Sequence, residues 1–146
     1  MLRTTIDTEM SGLSASATQS VGNWLRGKLD LTQLMAQQAS LATAGAAANA
    51  VIGAPAVRDT FYVSYVGRRD GCYDMVPQDE VPPDCDPRQR PWYKEAVAAI
   101  GPILAEPYTF ASRGALVITA AATVRDAVAP CCVSATATSR LAPWPA

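Results

Sequence analysis

Histidine is absent from the 146 residues of this sequence, and that absence excludes a wide range of chemistry. Imidazole is the commonest general base near neutral pH and the commonest metal ligand in proteins, so neither role can be filled in the usual way. No apolar run approaches the roughly 20 residues that a membrane-spanning helix needs, and the first residues lack the apolar core of a signal peptide. Lys and Arg number 12 against 13 Asp and Glu, so no positive surface for nucleic acid is expected. The length suits one domain with a single core.

Cysteine is scarce, and its spacing gives little support to a metal site. The four residues are Cys72, Cys85, Cys131 and Cys132, none of them in a Cys-x-x-Cys pair. Without histidine, a zinc site is poorly supported. Cys72 and Cys85 flank one loop, so a disulfide between them stays open in an oxidising compartment, although two free thiols are the expectation.

Proline is missing from about residue 6 to residue 49, and apolar residues recur there at gaps of three, four and seven. That spacing predicts a single stripe along a long helix, which we place at residues 1–50. Such a helix is longer than one small core can cover, so its N-terminal part is expected to pack against a second copy. Trp24 and Leu25 are interpreted as packing anchors rather than binding residues. The stripe consists of Val21, Trp24, Leu25, Leu31, Leu34, Met35 and Leu41.

Beyond that helix the chain alternates between strand-like and turn-like segments. Residues 61–66 are rich in β-branched and aromatic side chains and predict a strand, paired through a turn at Asp70 and Gly71 with residues 72–76. Residues 92–100 have a helical pattern that ends at Gly101 and Pro102. Two more strands are predicted, at 108–110 and 116–120, on either side of a turn at 113–114. The order of elements indicates an α+β fold, a long helix followed by an antiparallel sheet.

Residues 86–93, with the sequence Asp-Pro-Arg-Gln-Arg-Pro-Trp-Tyr, form the most informative segment. Pro87 and Pro91 fix their own φ angles and keep the preceding residues, Asp86 and Arg90, out of the helical region. The segment is therefore predicted to be a stiff, extended shelf.

On an extended backbone Arg88 and Arg90 point the same way, Trp92 shares their side and Tyr93 faces away. A guanidinium beside an indole on a rigid segment suits a small anion, because the guanidinium pairs with a carboxylate through two hydrogen bonds. The alternative is that Arg88 only pairs with Asp86 and supports the following helix. Arg88 and Arg90 are both retained as candidate binding residues.

The flanking sequences complete a family resemblance. With residues 86–93 at their centre, residues 12–125 resemble the membrane-distal half of a double Cache domain, the extracytoplasmic ligand-sensing module of bacterial chemoreceptors, sensor kinases and cyclic-dinucleotide enzymes. The resemblance implies a PAS-like antiparallel sheet behind the long helix, with residues 51–126 as the ligand-binding subdomain. The flanking sequences are Thr-Phe-Tyr-Val-Ser-Tyr-Val-Gly at 60–67, Asp-Gly at 70–71, Val-Pro-Pro-Asp at 81–84, Lys-Glu-Ala at 94–96, Glu-Pro-Tyr at 106–108 and Gly-Ala-Leu-Val-Ile-Thr at 114–119.

The same resemblance implies a set of binding residues. In the amino-acid-sensing members, a Tyr, an Arg, a Trp, two further Tyr and an Asp form the pocket. Arg90, Trp92, Tyr93 and Tyr108 stand at matching positions, whereas Cys85 replaces the first Tyr. By this resemblance the Arg and Trp meet the ligand carboxylate, and the later Tyr and the Asp meet its ammonium group.

The last 20 residues depart from the family pattern. Residues 127–146 are small, interrupted by proline and without period, which predicts disorder. A frameshift in the source gene is the second interpretation. Either way the sheet is expected to be incomplete at its C-terminal end. No acidic residue follows Asp126, so the ammonium half of the pocket is expected to be missing.

The resemblance implies the ligand-sensing, periplasmic part of a bacterial transmembrane receptor, with a methyl-accepting chemotaxis protein as the default. It would bind a small carboxylate or amino acid, need no cofactor, pair as a homodimer through the N-terminal helix, and meet the membrane only through segments outside this chain. Alternatives are the sensor of a histidine kinase or diguanylate cyclase, and a dimerisation module that binds nothing. An enzyme using Cys85 beside Arg88 is disfavoured because no base accompanies the thiol.

Overall fold

The N-terminal third of the chain is helical. A computed structural model describes residues 2–41, 45–110, 114–125 and 133–140. Helix α1 spans Leu2–Leu41, α2 spans Gly45–Ile52 and α3 spans Pro55–Thr60. The predicted long helix is confirmed, although the segment assigned to it continues as the separate helix α2. No helix in the described ranges is both long and apolar enough to cross a membrane.

An antiparallel sheet follows the helices, as predicted. The described residues form six strands in the order β2-β1-β6-β5-β3, with β4 paired to β5. The tight turn from β1 to β2 uses Gly71 at φ 90°, a conformation that glycine adopts without steric cost. The strands are β1 (Val63–Gly67), β2 (Tyr73–Val76), β3 (Ile103–Leu104), β4 (Tyr108–Thr109), β5 (Leu116–Val124) and β6 (Val133–Arg140).

The last strand corrects an expectation. Residues 133–140, predicted to be disordered or lost from the sheet, form β6 between β1 and β5 and pair with both. This strand contains only small and β-branched residues before its final Arg140, and its apolar positions are Val133 and two alanines, so the alternation along it is a weak signal. Backbone pairing on both sides defines it instead. The frameshift interpretation is untested, and residues 127–132 and 141–146 lie outside the described part of the chain.

The arginine segment differs from the extended shelf that the two prolines predict. Asp86 and Arg90 are extended, as residues before proline should be, but Pro87–Gln89 forms a turn of 3-10 helix between them. The Asp86 side chain caps this turn by accepting a hydrogen bond of 2.9 Å from the Arg88 N–H. Helix α4 then begins at Pro91 and runs to Ala98. Arg88 and Arg90 therefore do not share one face of a straight segment.

The sheet separates two hydrophobic cores. One face packs against α1, α2 and α3 through a cluster that includes Met35, Ile52 and Val66. The other face packs against α4 and the loops around it through a largely aromatic cluster that includes Tyr65, Trp92 and Phe110. Because side chains alternate along a strand, β1 serves both cores, with Val66 on one face and Tyr65 on the other.

Candidate ligand-binding cavity

A cavity lies on the aromatic face of the sheet, opposite the long helix. It encloses about 290 Å³, including its open mouth. Its enclosed part measures about 20 Å³, which is room for roughly one water molecule. Strands β1 and β2, the loop before the 3-10 turn, helix α4 and strand β4 all contribute. The lining residues are Tyr65, Tyr73, Met75, Val81, Cys85, Arg90, Trp92, Tyr108 and Phe110.

Aromatic rings in edge-to-face contact form the walls. Tyr65 and Trp92 are 1% and 2% exposed, and their ring centroids lie 5.1 Å apart at an interplanar angle of 71°. Tyr73 and Phe110 pack on the same tyrosine at 5.9 Å and 6.0 Å. Edge-to-face packing is the favoured geometry of aromatic pairs, so these rings hold each other in place. The walls are therefore formed before any ligand arrives.

Three hydroxyl groups form a chain beside these rings. The Tyr65 and Tyr108 hydroxyls lie 2.7 Å apart, and the Tyr108 hydroxyl lies 2.8 Å from Thr119 Oγ1. Thr119 is a buried residue of β5, so the chain connects β1, β4 and β5 through neutral polar groups. A ligand that reaches this side of the cavity meets hydrogen-bonding oxygens that carry no charge.

Arg90 supplies the positive charge of the cavity. It is half-buried at the residue before α4, and no carboxylate of a described residue pairs with it. Burial raises the pKa of the Tyr73 phenol well above its usual range, and the neighbouring Arg90 guanidinium acts in the opposite direction. The Tyr73 hydroxyl also lies 3.8 Å from Cys85 Sγ. Arginine, tyrosine and cysteine thus meet at one side of the cavity.

Arg88 has a different environment although it is only two residues away. Its Nε lies 2.9 Å and 3.0 Å from the two carboxylate oxygens of Asp86, and its Nη2 lies 2.6 Å from one of them. Its Nη1 donates to the backbone carbonyl of Arg69 at 3.3 Å, and a Cβ added to Gly71 would lie 3.0 Å from its Nη2. The ion pair raises the pKa of Arg88 and lowers that of Asp86. Arg88 fastens the 3-10 turn to the β1–β2 turn and does not line the cavity.

No protein-family model matches this sequence, but curated proteins do. The chain is 38% identical over 125 residues to the methyl-accepting chemotaxis protein PscA of Pseudomonas syringae pv. tomato, covering 85% of this chain and 20% of that protein. It is 35% identical over 122 residues to PctB of Pseudomonas aeruginosa, a protein of the same class, covering 84% of this chain and 19% of PctB. The chain thus spans about a fifth of the length of these relatives.

Solved structures match most of this chain. The ligand-binding domain of the Pseudomonas fluorescens chemoreceptor CtaA, in complex with L-serine, has a TM-score of 0.86 at 27% identity, over 95% of this chain and 61% of that one. This chain belongs to the chemoreceptor ligand-binding domains. The domain of PctB in complex with L-Arg has a TM-score of 0.75 at 32% identity, over 82% and 50% of the two chains. The resemblance to the Cache sensors and the α+β fold class are both confirmed.

Within this sensor domain, the structure gathers some of the sequence candidates and separates others. Cys85, Arg90, Trp92 and Tyr108 line one cavity. Arg88 faces the β1–β2 turn, and Tyr93 is buried behind Trp92 with its ring centroid 5.7 Å from the indole. The binding roles of all six candidates stay predictions, because the comparisons do not test them.

The sequence reasoning missed more than half of the cavity lining of the sensor domain. Tyr65 pairs with Met75 and Gly67 with Tyr73 across β1 and β2, so alternate residues of both strands face the cavity. The period-two pattern of aromatic residues in these strands was the available signal, but it does not say which face is hollow. The missed residues are Tyr65, Tyr73, Met75, Val81 and Phe110.

Two cysteines of the sensor domain are described, and both are free thiols. Cys72 is exposed and Cys85 is half-buried in the cavity wall. Whether these two thiols form a disulfide in an oxidising compartment stays a prediction. Cys131 and Cys132 lie outside the described residues. Across the described ranges, no group of three or more His, Cys, Asp or Glu residues is placed to hold a metal ion.

Proposed function

We propose that this chain is the ligand-sensing part of a methyl-accepting chemotaxis receptor and that its cavity binds the carboxylate of a small molecule at Arg90. The observation that carries this proposal is a half-buried guanidinium in an aromatic cavity, with no partner among the described carboxylates. Taking a charge out of water without a partner is costly. A ligand carboxylate compensates this charge and gains two parallel hydrogen bonds.

The neighbouring side chains contact the rest of the ligand or support the cavity wall. Trp92 and Phe110 wall the apolar part of the ligand, and Tyr108 offers a hydroxyl within the chain that ends at Thr119. Cys85 forms part of the cavity wall beside Tyr73. Tyr93 supports Trp92 from behind and does not touch the ligand. No side chain is assigned a catalytic step, so the domain acts as a sensor that binds and releases its ligand unchanged.

A calorimetric titration with matched ligands tests the proposal. Small carboxylates such as propionate are titrated into the purified chain alongside their neutral amides, which keep the shape and lose the charge. We expect saturable binding of one or more acids and at least a tenfold weaker response to the corresponding amide, because only the acid satisfies Arg90. Equal binding of acid and amide, or no binding of any acid, contradicts the proposal.

Relatives whose solved complexes contain amino acids or GABA, which all have a carboxylate, support a carboxylate ligand for this chain. The relatives found by sequence are all methyl-accepting chemotaxis proteins, which favours that output over a kinase or a cyclase. We assign the domain to the periplasmic side of an inner-membrane receptor whose membrane segments lie outside these residues. A hybrid receptor joining this domain to the signalling half of PctB provides the test, with attraction to the ligand as the expected response.

We further propose that α1 pairs with a second copy of the chain. Residues 2–24 of this helix are exposed throughout. Large apolar side chains at Leu2, Ile6, Met10 and Leu13 are exposed at spacings of four, four and three, which place them on one side of the helix. Stable interfaces bury about 800 Å² per partner. Analytical ultracentrifugation should show a concentration-dependent dimer, and a strict monomer at high concentration with ligand present contradicts it.

A further inference from the structure

The cavity beside Arg90 has a mouth but little enclosed space. Its enclosed part measures about 20 Å³, whereas the space that includes the mouth is about 290 Å³. A carboxylate with even a short carbon chain is larger than the one water molecule that the enclosed part can hold. Part of the wall must therefore move before a ligand can reach Arg90, and the wall that moves decides which ligands fit.

Most of the wall belongs to the packed body of the domain. Tyr65, Trp92 and Phe110 are buried, and the tryptophan and phenylalanine rings both contact the tyrosine ring. Tyr73 and Met75 lie on β2, whose backbone pairs with β1. Moving any of these side chains disrupts an aromatic contact or a strand ladder, and densely packed interiors resist such displacement.

The segment 77–85 is the exception, and it brings Val81 and Cys85 to the cavity from between β2 and the 3-10 turn. All nine of its residues are described, and they form neither helix nor strand. Its backbone N–H of Cys85 donates to the carbonyl oxygen of Pro82 at 2.9 Å. Among the described residues, no backbone–backbone hydrogen bond joins this segment to the sheet. Three of its residues are prolines, which have no N–H to donate.

Both ends of this segment are fixed. Before it, Val76 pairs with Ser64 across β2 and β1. After it, the Asp86 side chain caps the 3-10 turn and Pro87 is fully buried. Between these ends Val81 is half-buried, whereas the three residues that follow it are exposed. The segment is therefore a strap across the mouth of the cavity, with the Val81 side chain directed to the cavity wall.

We propose that this strap lifts to admit the ligand and that Val81 limits the length of the ligand's carbon chain when the strap returns. The proposal rests on the carboxylate site argued above and adds the residue that sets the size of its ligand. A ligand whose carboxylate pairs with Arg90 shares the remaining space with the two methyl groups of Val81. Short carboxylates fit beneath the strap, whereas longer ones overpack the cavity.

Calorimetric titration of propionate and hexanoate into the wild type and Val81→Ala tests the size limit. We expect the wild type to prefer propionate, and Val81→Ala to raise the affinity for hexanoate relative to propionate about tenfold, the usual effect of a methylene in an apolar pocket. Val97→Ala is the matched control, because it removes the same atoms from an exposed valine of α4 and should leave the ratio unchanged. An unchanged ratio in Val81→Ala overturns this inference and leaves the carboxylate site standing. Absence of binding by both acids to both proteins overturns the carboxylate site and the size limit together.

The Cys85 thiol reports on the strap without any ligand. Cys85 is half-buried in the cavity wall, whereas Cys72 is exposed and serves as the internal control. The reduced protein is alkylated with iodoacetamide, and peptide mass spectrometry follows the rate at each thiol. Val81→Ala should raise the rate at Cys85 several-fold and leave the rate at Cys72 unchanged, because a strap with fewer buried contacts opens more often. Equal rates at Cys85 in the wild type and in Val81→Ala contradict the role of Val81 in holding the strap closed.

Discussion

The two faces of the sheet are built from different side chains. The helix face is aliphatic and alanine-rich, and Met35, Ile52 and Val66 fill it without a comparable lining of hydroxyls. The cavity face is aromatic, and three tyrosines and Arg90 line its cavity. Aliphatic side chains pack densely around a stable core, whereas rigid rings leave a shaped space when they meet edge to face. One sheet thus separates the part of the domain that holds it together from the part that recognises a ligand.

Lys28, a cation on the helix face, strengthens this contrast. Lys28 donates to the carbonyl oxygen of Thr60 and lies 5.1 Å and 4.7 Å from the ring centroids of Trp24 and Phe61. Partial burial lowers its pKa. Its charge is already compensated by a carbonyl and two aromatic faces, so it links α1 to the end of α3. Arg90 instead lines the cavity beside the Tyr73 hydroxyl, and no carboxylate of a described residue pairs with it.

The largest effect is expected from a substitution that empties the helix face. Met35 is 2% exposed, so Met35→Ala should lower the free energy of unfolding by about 2–5 kcal/mol, the usual cost of such a cavity. Ligand affinity should stay the same because the cavity lies across the sheet. Leu34, one residue earlier and 49% exposed, is the matched control, and Leu34→Ala should change stability little. Urea unfolding and calorimetry measure the two quantities, and a parallel loss of affinity in Met35→Ala would show that the faces are coupled.

A substitution at Gly67 is expected to have a smaller effect, on both the free energy of unfolding and the ligand affinity. A Cβ at this position would lie 2.8 Å from Pro87 Cβ and 2.9 Å from Trp92 Cη2, so the arginine segment must shift to admit it. Gly67→Ala should cost about 1–3 kcal/mol by overpacking and weaken ligand binding as well.

Gly27 provides the opposite control, since nothing lies within 4 Å of a Cβ added there in the middle of α1. Gly27→Ala should stabilise the protein by about 0.5–1 kcal/mol through helix propensity, with no change in affinity. Thermal unfolding measures the stability of both variants, and ligand titration measures their affinity. A Gly67→Ala protein with wild-type stability and affinity would contradict the close packing of the arginine segment on β1.

The smallest effect is a pH dependence of the structural ion pair. Hydrogen bonds from Arg88 hold the pKa of Asp86 below its ordinary value. Its contribution to stability is therefore complete above the unfolded pKa of about 3.9 and is lost as the pH falls through the lower folded value. Because this pair is exposed to solvent, the loss should be slight. Melting curves from about pH 6 down to pH 3 should show a shallower decline for Asp86→Asn than for the wild type. Parallel declines would mean that the pair contributes nothing.

How far the sequence determines this fold depends on whether a segment is defined locally. Local signals were enough for α1, from its apolar periodicity, for the β1–β2 hairpin, from its β-branched and aromatic residues and its Asp-Gly turn, and for α4, from the Gly-Pro that follows it. They failed for β6, since a strand of Ser, Ala and Thr is defined by the ladders on its two sides. They also failed at 86–93, where two prolines predict an extended backbone and the Asp86 cap produces a 3-10 turn instead.

The residues of the candidate site were likewise predictable only where local sequence defines them. Arg90, Trp92 and Tyr108 were found through the family resemblance, but Tyr65 and Tyr73 were missed because their role depends on strand register and on which face is hollow. Arg88 and Arg90 could not be separated by spacing alone. The 3-10 turn separates them, because it places the Arg88 guanidinium against Asp86 and leaves Arg90 in the cavity wall.

Ligand affinity and melting temperature measured side by side on Arg90→Ala and Arg88→Ala test the central claim most directly. Arg90→Ala should lose about 2–5 kcal/mol of affinity for the tightest-binding carboxylate. Its melting temperature should not fall, because no described carboxylate loses a partner. Arg88→Ala should keep its affinity and melt a few degrees lower, since it loses the ion pair with Asp86. Exchanged phenotypes, or equal losses of affinity in both variants, would contradict the assignment of Arg90 as the anion-binding residue.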